Sequence, residues 1–236
     1  MENKNIKLVV FDIAGTTVKD HGNIADSFIY ALSKFGFPVD REEVNKLMGY
    51  KKPVAISLLL EKFYPGEIER DQLLVDKIHD VFIDAMVDFY QSDTSLEPMG
   101  SAEHLFLQLQ ANNIKVALNT GFSRRITDAI LEQIDWVNNP LIDFVICSDE
   151  VENGRPSSDM IQAIMAATGI DNADEIAKVG DTEVDIQEGR EAGCALVIGV
   201  STGAYSRKQL LSCYPDAVID DLSELQAILK LGVLAK

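Results

Sequence analysis

The chain has 236 residues, 47% of them hydrophobic and 25% charged, with a formal net charge of −17. This length and balance suit one large globular domain, or a core with a smaller second domain, and carry no disorder signature. The acidity argues against nucleic acid or an anionic membrane surface as a partner, and an anionic substrate would need a divalent cation or focused Lys and Arg side chains to reverse the local field.

Residues 7–12 form a short apolar run rich in β-branched side chains, ended by Gly15, and predict a buried strand. The run is too short for a signal-peptide core or a membrane span, so a cytoplasmic location is expected. From 23 to 91 helical periodicity takes over. Phe28, Ala31, Leu32 and Phe35 form one stripe, and Val75, Ile78, Phe82, Met86 and Phe89 another. Gly36 with Pro38, and Tyr64, Pro65 and Gly66, punctuate this stretch. Beyond it, helical patterns over 101–111, 124–134 and 157–168 alternate with apolar runs at 114–119, 144–147, 176–179, 196–200 and 217–219. That alternation predicts an α/β fold with a parallel sheet covered on both faces. The helical insert would overhang the carboxyl end of the first strand, the edge where open parallel sheets bind ligands. Cys147, Cys194 and Cys213 show no metal or redox spacing and read as reduced, mostly buried side chains.

Four places carry chemistry. Asp12 ends the first strand and is followed by Ile13, Ala14, Gly15, Thr16 and Thr17, a loop whose glycine, hydroxyls and N–H groups can surround a phosphate; a plain N-cap is the alternative. Asp181 follows another strand, with Asp185 four residues on, and oxygens converging from two strand ends suit a hard cation such as Mg²⁺; a solvated acidic turn is the alternative. Thr120 and Gly121 close the strand at 114–119, where the hydroxyl either meets a phosphoryl oxygen or caps a helix. Arg155, between Gly154 and Pro156, either neutralises developing charge or is a surface arginine.

In order and spacing these pieces resemble the haloacid dehalogenase superfamily, and the resemblance spans nearly the whole chain. It implies a Rossmann-like core from residues 1–20 and 95–236 and an all-helical cap from 21–94. Hinges are expected near 18–23 and 92–98. It also implies an Asp12 nucleophile that forms an aspartyl-phosphate for water to cleave. Gly15, Thr16, Thr120, Gly121 and Arg155 would surround the phosphoryl group. Mg²⁺ would be held by Asp12, the backbone carbonyl of Ala14, Asp181 and Asp185.

Typical phosphatases of this superfamily carry a second Asp two residues after the nucleophile, and here that position is Ala14. The Asp-x-Ala-Gly-Thr-Thr pattern is similar instead to the phosphonatase-like group. There a cap lysine forms a Schiff base with a substrate aldehyde, and the iminium accepts electrons as the P–C bond breaks. The segment from Met48 to Pro53 resembles that group's cap segment, with Lys52 as the Schiff-base lysine, and Arg155 in place of the commoner Lys points the same way. Such an amine must lose its proton, which burial or a cationic neighbour would promote; Lys51 is adjacent in sequence. A histidine of that group, three residues after its lysine, is replaced by Ala55. His21 lies close enough in sequence to approach the site, while His79 and His104 read as helix-surface residues.

The resemblance implies cleavage of a small phosphonate aldehyde. The alternative is a phosphate monoester phosphatase of the phosphoglycolate-phosphatase kind. A third reading, of another class, is a non-catalytic binding protein using the same pocket. The expected partner is a small phosphorylated or phosphonate metabolite, and a homodimer stays open.

Overall fold

The computed structural model describes residues 5–65 and 72–232. Six strands, β1 (Leu8–Asp12), β2 (Lys115–Thr120), β3 (Phe144–Cys147), β4 (Ile176–Gly180), β5 (Leu196–Val200) and β6 (Ala217–Ile219), form one sheet. Their order is β3-β2-β1-β4-β5-β6, and every pairing is parallel. β1, β4 and β5 are buried along their whole length, as expected where helices cover both faces. Alternation along β1 splits the core into two layers. Val9 and Phe11 face one, with Leu105 and Phe106, while Leu8 and Val10 face the other, with Met160, Ile161 and Ile164.

Among the described residues five helices and no strand of the sheet lie between β1 and β2, and the first four make up the insert: α1 (Asn23–Lys34), α2 (Arg41–Asn45), α3 (Lys52–Phe63) and α4 (Gln72–Ser92). The two apolar stripes meet where α1 packs on α4, with Phe28 and Phe82 edge to face at 5.2 Å. Phe35 and Phe89, at the ends of those stripes, are only half-buried. Gly66, read as a breaker, lies outside the described residues. The later helices are α5 (Ala102–Ala111), α6 (Arg124–Gln133), α7 (Asp159–Thr168), α8 (Glu183–Glu191), α9 (Arg207–Ser212) and α10 (Leu225–Leu229). α7 starts two residues later than the sequence pattern suggests, because Ser157 and Ser158 form the turn that precedes it.

The chain's two passages between the insert and the sheet run side by side. Val18 and Pro98 form an antiparallel bridge, the Lys19 N–H donates to the Glu97 carbonyl at 3.1 Å, and the Met99 N–H to the Thr17 carbonyl at 2.8 Å. The insert also rests on the sheet-side helices: α4 packs on α6, with Arg125 paired to Asp84 at 2.7 Å. Register aligns Asp12 with Asn119 on one side and Phe11 with Val179 on the other, so the tips of β1, β2 and β4 share one edge. Strand order reverses there, at the crevice where doubly wound sheets hold ligands. No helix among the described residues is long and apolar enough to cross a membrane.

Candidate active site

The β1 backbone delivers Asp12 to the sheet edge, and the next residues turn back on themselves. The Gly15 N–H donates to the Val18 carbonyl at 2.8 Å, the Thr16 N–H to the Ile13 carbonyl at 3.2 Å, and the Thr17 hydroxyl to the Asp12 carbonyl at 3.0 Å. Gly15 has φ +89°, and a Cβ there would lie 2.6 Å from Asp181 Oδ2, so conformation and space both require glycine. The Thr16 hydroxyl donates to Asp181 Oδ1 at 3.4 Å, and the Ala204 N–H to Asp181 Oδ2 at 2.6 Å, which fixes the second carboxylate over the first loop.

A buried ionic cluster lies beneath Asp12. Arg155 Nη1 donates to Asp12 Oδ1 at 2.6 Å and sits 2.9 Å from Asp185 Oδ1. Its Nη2 donates to the Asn119 carbonyl at 2.7 Å and to Asn119 Oδ1, and its Nε lies 3.0 Å from Glu188 Oε2. Lys178, on β4, donates to Asn119 Oδ1 at 2.9 Å and lies 2.9 Å from Asp185 Oδ1 and 3.3 Å from Glu188 Oε2. Asp185 Oδ2 also accepts the Thr182 hydroxyl at 2.5 Å.

Three carboxylates, Asp12, Asp185 and Glu188, therefore share two buried cations, and the buried Asp181 adds a fourth carboxylate that pairs with neither cation, which leaves two negative charges when all are ionised. The electrostatics follow from this. Burial, then the charges of Asp12 and Asp185, hold the Asp181 carboxyl well above the usual range. Burial likewise raises Asp12, against the opposing pull of Arg155. Asp185 is held low because Arg155 and Lys178 outweigh its burial.

Among the described residues no three His, Cys, Asp or Glu side chains converge as a ready-made metal cage. The donor set nevertheless fits a hard divalent ion that keeps several waters. Asp12, Asp181 and Ala14 line one cavity, and two uncompensated negative charges sit there.

That cavity lies between the sheet edge and the insert. Asp12, Ala14, Thr120, Gly121 and Asp181 line its floor; Asp20, Met48, Gly49 and Lys52 line its roof. Lys52 opens α3 and is 3% exposed. Its Nζ donates to the Tyr50 carbonyl at 3.3 Å and lies 5.2 Å from the centre of the Phe122 ring. Burial is the main reason its pKa is lowered to about 8, and the Arg155 charge adds to the effect against the pull of Asp12. Lys51 is not that cationic neighbour: its amine points away, donating to the Val151 and Glu152 carbonyls at 3.1 Å.

Several expectations are redirected by this geometry. Arg155 was expected at the phosphoryl group, but its donors face protein acceptors and it orients Asp12 from beneath. Gly15 and Thr16 were expected there too, yet the Gly15 N–H closes its own turn and the Thr16 hydroxyl goes to Asp181. Asp185 was expected on the metal; both its oxygens are engaged by Arg155, Lys178 and Thr182. Thr120 and Gly121 do line the cavity. His21 is exposed, while its neighbour Asp20 faces the cavity. Asn119, Lys178, Glu188 and Asp20 were not anticipated. Lys178 had a signal, a charge inside an otherwise apolar strand run, and Glu188 follows Asp185 at i+3 on one helix face. Cys147 and Cys194 are free and buried, with thiols pushed up to about 12, which leaves them unreactive at neutral pH.

Sheet, crevice and paired strand-tip carboxylates place the chain among doubly wound α/β proteins with an acidic site at the switch point of the sheet. The family model for haloacid dehalogenase-like hydrolases matches residues 6–193, and the chain belongs to that family. It is 31% identical to a phosphonoacetaldehyde hydrolase of Paraburkholderia xenovorans, over 84% of this chain and 76% of the relative. It is 28% identical to one from Latilactobacillus sakei, over 95% of each. Among solved structures, a phosphonoacetaldehyde hydrolase-like protein from Oleispira antarctica superposes with a TM-score of 0.83 at 21% identity, covering 97% of this chain and 92% of that one. A predicted phosphoglycolate phosphatase from Haemophilus somnus gives 0.74 at 18% identity, covering 95% of this chain and 98% of that one. At these identities the superpositions speak for the fold.

Proposed function

We propose that this hydrolase cleaves the P–C bond of a small phosphonate aldehyde such as phosphonoacetaldehyde, with Asp12 as nucleophile and Lys52 as Schiff-base amine. In this reading residues 1–20 and 95–236 are the catalytic core, and 21–94 are a cap that carries Lys52 to the substrate. The observation behind it is the burial of the Lys52 amine, its pKa near 8, in the same cavity as Asp12. An ordinary surface lysine is almost entirely protonated at neutral pH and cannot attack a carbonyl. The names of the curated relatives support the same chemistry.

The amine lone pair adds to the aldehyde carbon and water leaves, giving an iminium. The Asp12 oxygen not held by Arg155 then attacks phosphorus. The P–C bonding pair moves to carbon and delocalises onto nitrogen as an enamine. Protonation at carbon and hydrolysis of the imine release the new aldehyde and Lys52, and water cleaves the aspartyl-phosphate. Mg²⁺ held by Asp12, Asp181 and the Ala14 carbonyl would screen the anionic nucleophile from the anionic phosphoryl group. Thr120 and the Gly121 backbone are placed to orient phosphoryl oxygens. Because nitrogen is the electron sink, no acid at position 14 is needed to protonate a leaving alkoxide.

Borohydride added with phosphonoacetaldehyde is expected to reduce the imine and leave the substrate-derived carbon bonded to the Lys52 nitrogen as a stable secondary amine. An absent adduct, together with full turnover in Lys52→Ala, refutes the mechanism. Efficient phosphate release from phosphoglycolate by that variant would favour the monoesterase instead.

A further inference from the structure

Schiff-base formation moves protons as well as electrons. The carbonyl oxygen must gain one proton to become a carbinolamine hydroxyl and a second to depart as water. The adding amine supplies one; an acid must supply the other. Among the described residues lining the cavity, four side chains titrate: Asp12, Asp20, Lys52 and Asp181. Asp12 is the nucleophile, held by Arg155. Asp181 is bound by Thr16 and the Ala204 N–H at the metal end. Lys52 is the amine.

Asp20 is left, and its setting suits the task. It lies on the segment leading from the nucleophile loop into α1, half-buried, and faces the cavity beside Lys52. The Gly22 N–H donates to Oδ1 at 2.9 Å, which fixes the carboxyl, and no hydrogen bond among the described residues engages Oδ2. Lys52 donates to the Tyr50 carbonyl rather than to this carboxylate, so the two groups face a shared space without quenching one another. Burial raises the Asp20 pKa, opposed by the Gly22 N–H and by the charges of His21, Lys52 and Arg41. Those three act on it directly, Tyr90 of α4 interacts with it as well, and Asp12 and Asp181 line the same cavity.

We propose that Asp20 is the general acid–base partner of Lys52, protonating the departing carbinolamine hydroxyl and taking the proton back when water hydrolyses the final imine. In the forward step the C–O pair leaves with the Asp20 proton as water, the nitrogen lone pair closes the C=N bond, and the new iminium faces a new carboxylate. This rests on the Lys52 reading above. It assigns to Asp20 the proton transfer that neither Ala14 nor Ala55 can perform.

The working pair holds one proton, on Asp20, with Lys52 neutral. Raising the pH removes it, so wild-type kcat falls on the alkaline side. Asp20→Asn has no such proton to lose, and its rate instead climbs with pH as Lys52 deprotonates. Turnover of phosphonoacetaldehyde and borohydride trapping across pH, in wild type, Asp20→Asn, Asp20→Glu and Lys52→Ala, test this. Asp20→Asn is expected to lose about 10²–10⁴-fold in kcat, lose the alkaline fall, and still trap substrate on Lys52. Asp20→Glu should keep the alkaline fall and recover part of the rate. Wild-type kcat and profile in Asp20→Asn, with the Lys52 adduct intact, overturns the role of Asp20 and leaves the Lys52 mechanism standing. A missing adduct in wild type overturns both. Should Asp20→Asn misfold, wild-type kcat and pH profile in Asp20→Ser overturn the role of Asp20.

Discussion

Lys52 shows how one side chain ties stability to chemistry. Its folded pKa, about 8, lies below the ordinary 10.5. For a base depressed on folding, the unfolded chain holds the extra proton, so the cost is fully present below the folded value. It is relieved as pH rises through the window between the two. The shift corresponds to a cost on the order of 3 kcal/mol at neutral pH. Lys52→Met should therefore raise Tm at pH 7, show a smaller advantage near pH 10, and abolish turnover of phosphonoacetaldehyde; an equal Tm gain at both pH values would refute the assignment. Lys178 behaves oppositely. It neutralises Asp185 and Glu188 inside the sheet, and removing one partner of a buried ionic cluster costs about 3–5 kcal/mol. Lys178→Met should show a loss of that size in chemical denaturation.

At the scale of elements, the contact that matters is the loop before α3 against the sheet tips. A Cβ on Gly121 would lie 2.5 Å from the Gly49 carbonyl oxygen, and a Cβ on Gly49 2.5 Å from the Thr182 hydroxyl. Backbone must therefore move to admit the first, whereas the second meets the side chains of Thr182 and Val184 at a residue whose φ is +83°. Gly121→Ala should lift Lys52 away from Asp12 and lower kcat/KM about 100-fold, the usual penalty for roughly 1 Å of misplacement. Stability should fall by about 1–3 kcal/mol, the usual cost of overpacking, and amide exchange over residues 48–52 should quicken. The adjacent segments 18–23 and 92–98, tied by the Val18–Pro98 bridge, are where we place the hinge for opening.

For the whole molecule the decisive quantity is charge. A protein of formal charge −17 whose cavity is lined by Asp12, Asp20 and Asp181 against the single Lys52 amine should draw an anion more strongly once a divalent cation is bound. Mg²⁺ should raise Tm, by about 2.7 kcal/mol of stability at a hundredfold excess over its Kd. EDTA should remove both that gain and turnover. Asp181→Asn should weaken the Mg²⁺-dependent gain while leaving the metal-free Tm equal or higher, since burial and neighbouring charges disfavour its ionised form.

Local periodicity was enough to read the strands, the helical insert and the placing of Asp12 and Asp181 at strand tips. Apolar spacing at 2 or 3.6 residues reflects which faces a segment must bury, and that demand is local. Thr120 and Gly121 were legible for the same reason, each closing an apolar run. What Arg155 does was not legible. Its partner Asp12 is 143 residues away in sequence, and only the side-by-side packing of β1, β2 and β4 turns its guanidinium to the Asp12 carboxylate. The same packing recruits Asn119, Lys178 and Glu188, and folding the insert over the sheet brings Asp20 and Lys52 to one cavity. Pairing between distant segments is set by tertiary burial and charge balance, and no local pattern encodes it.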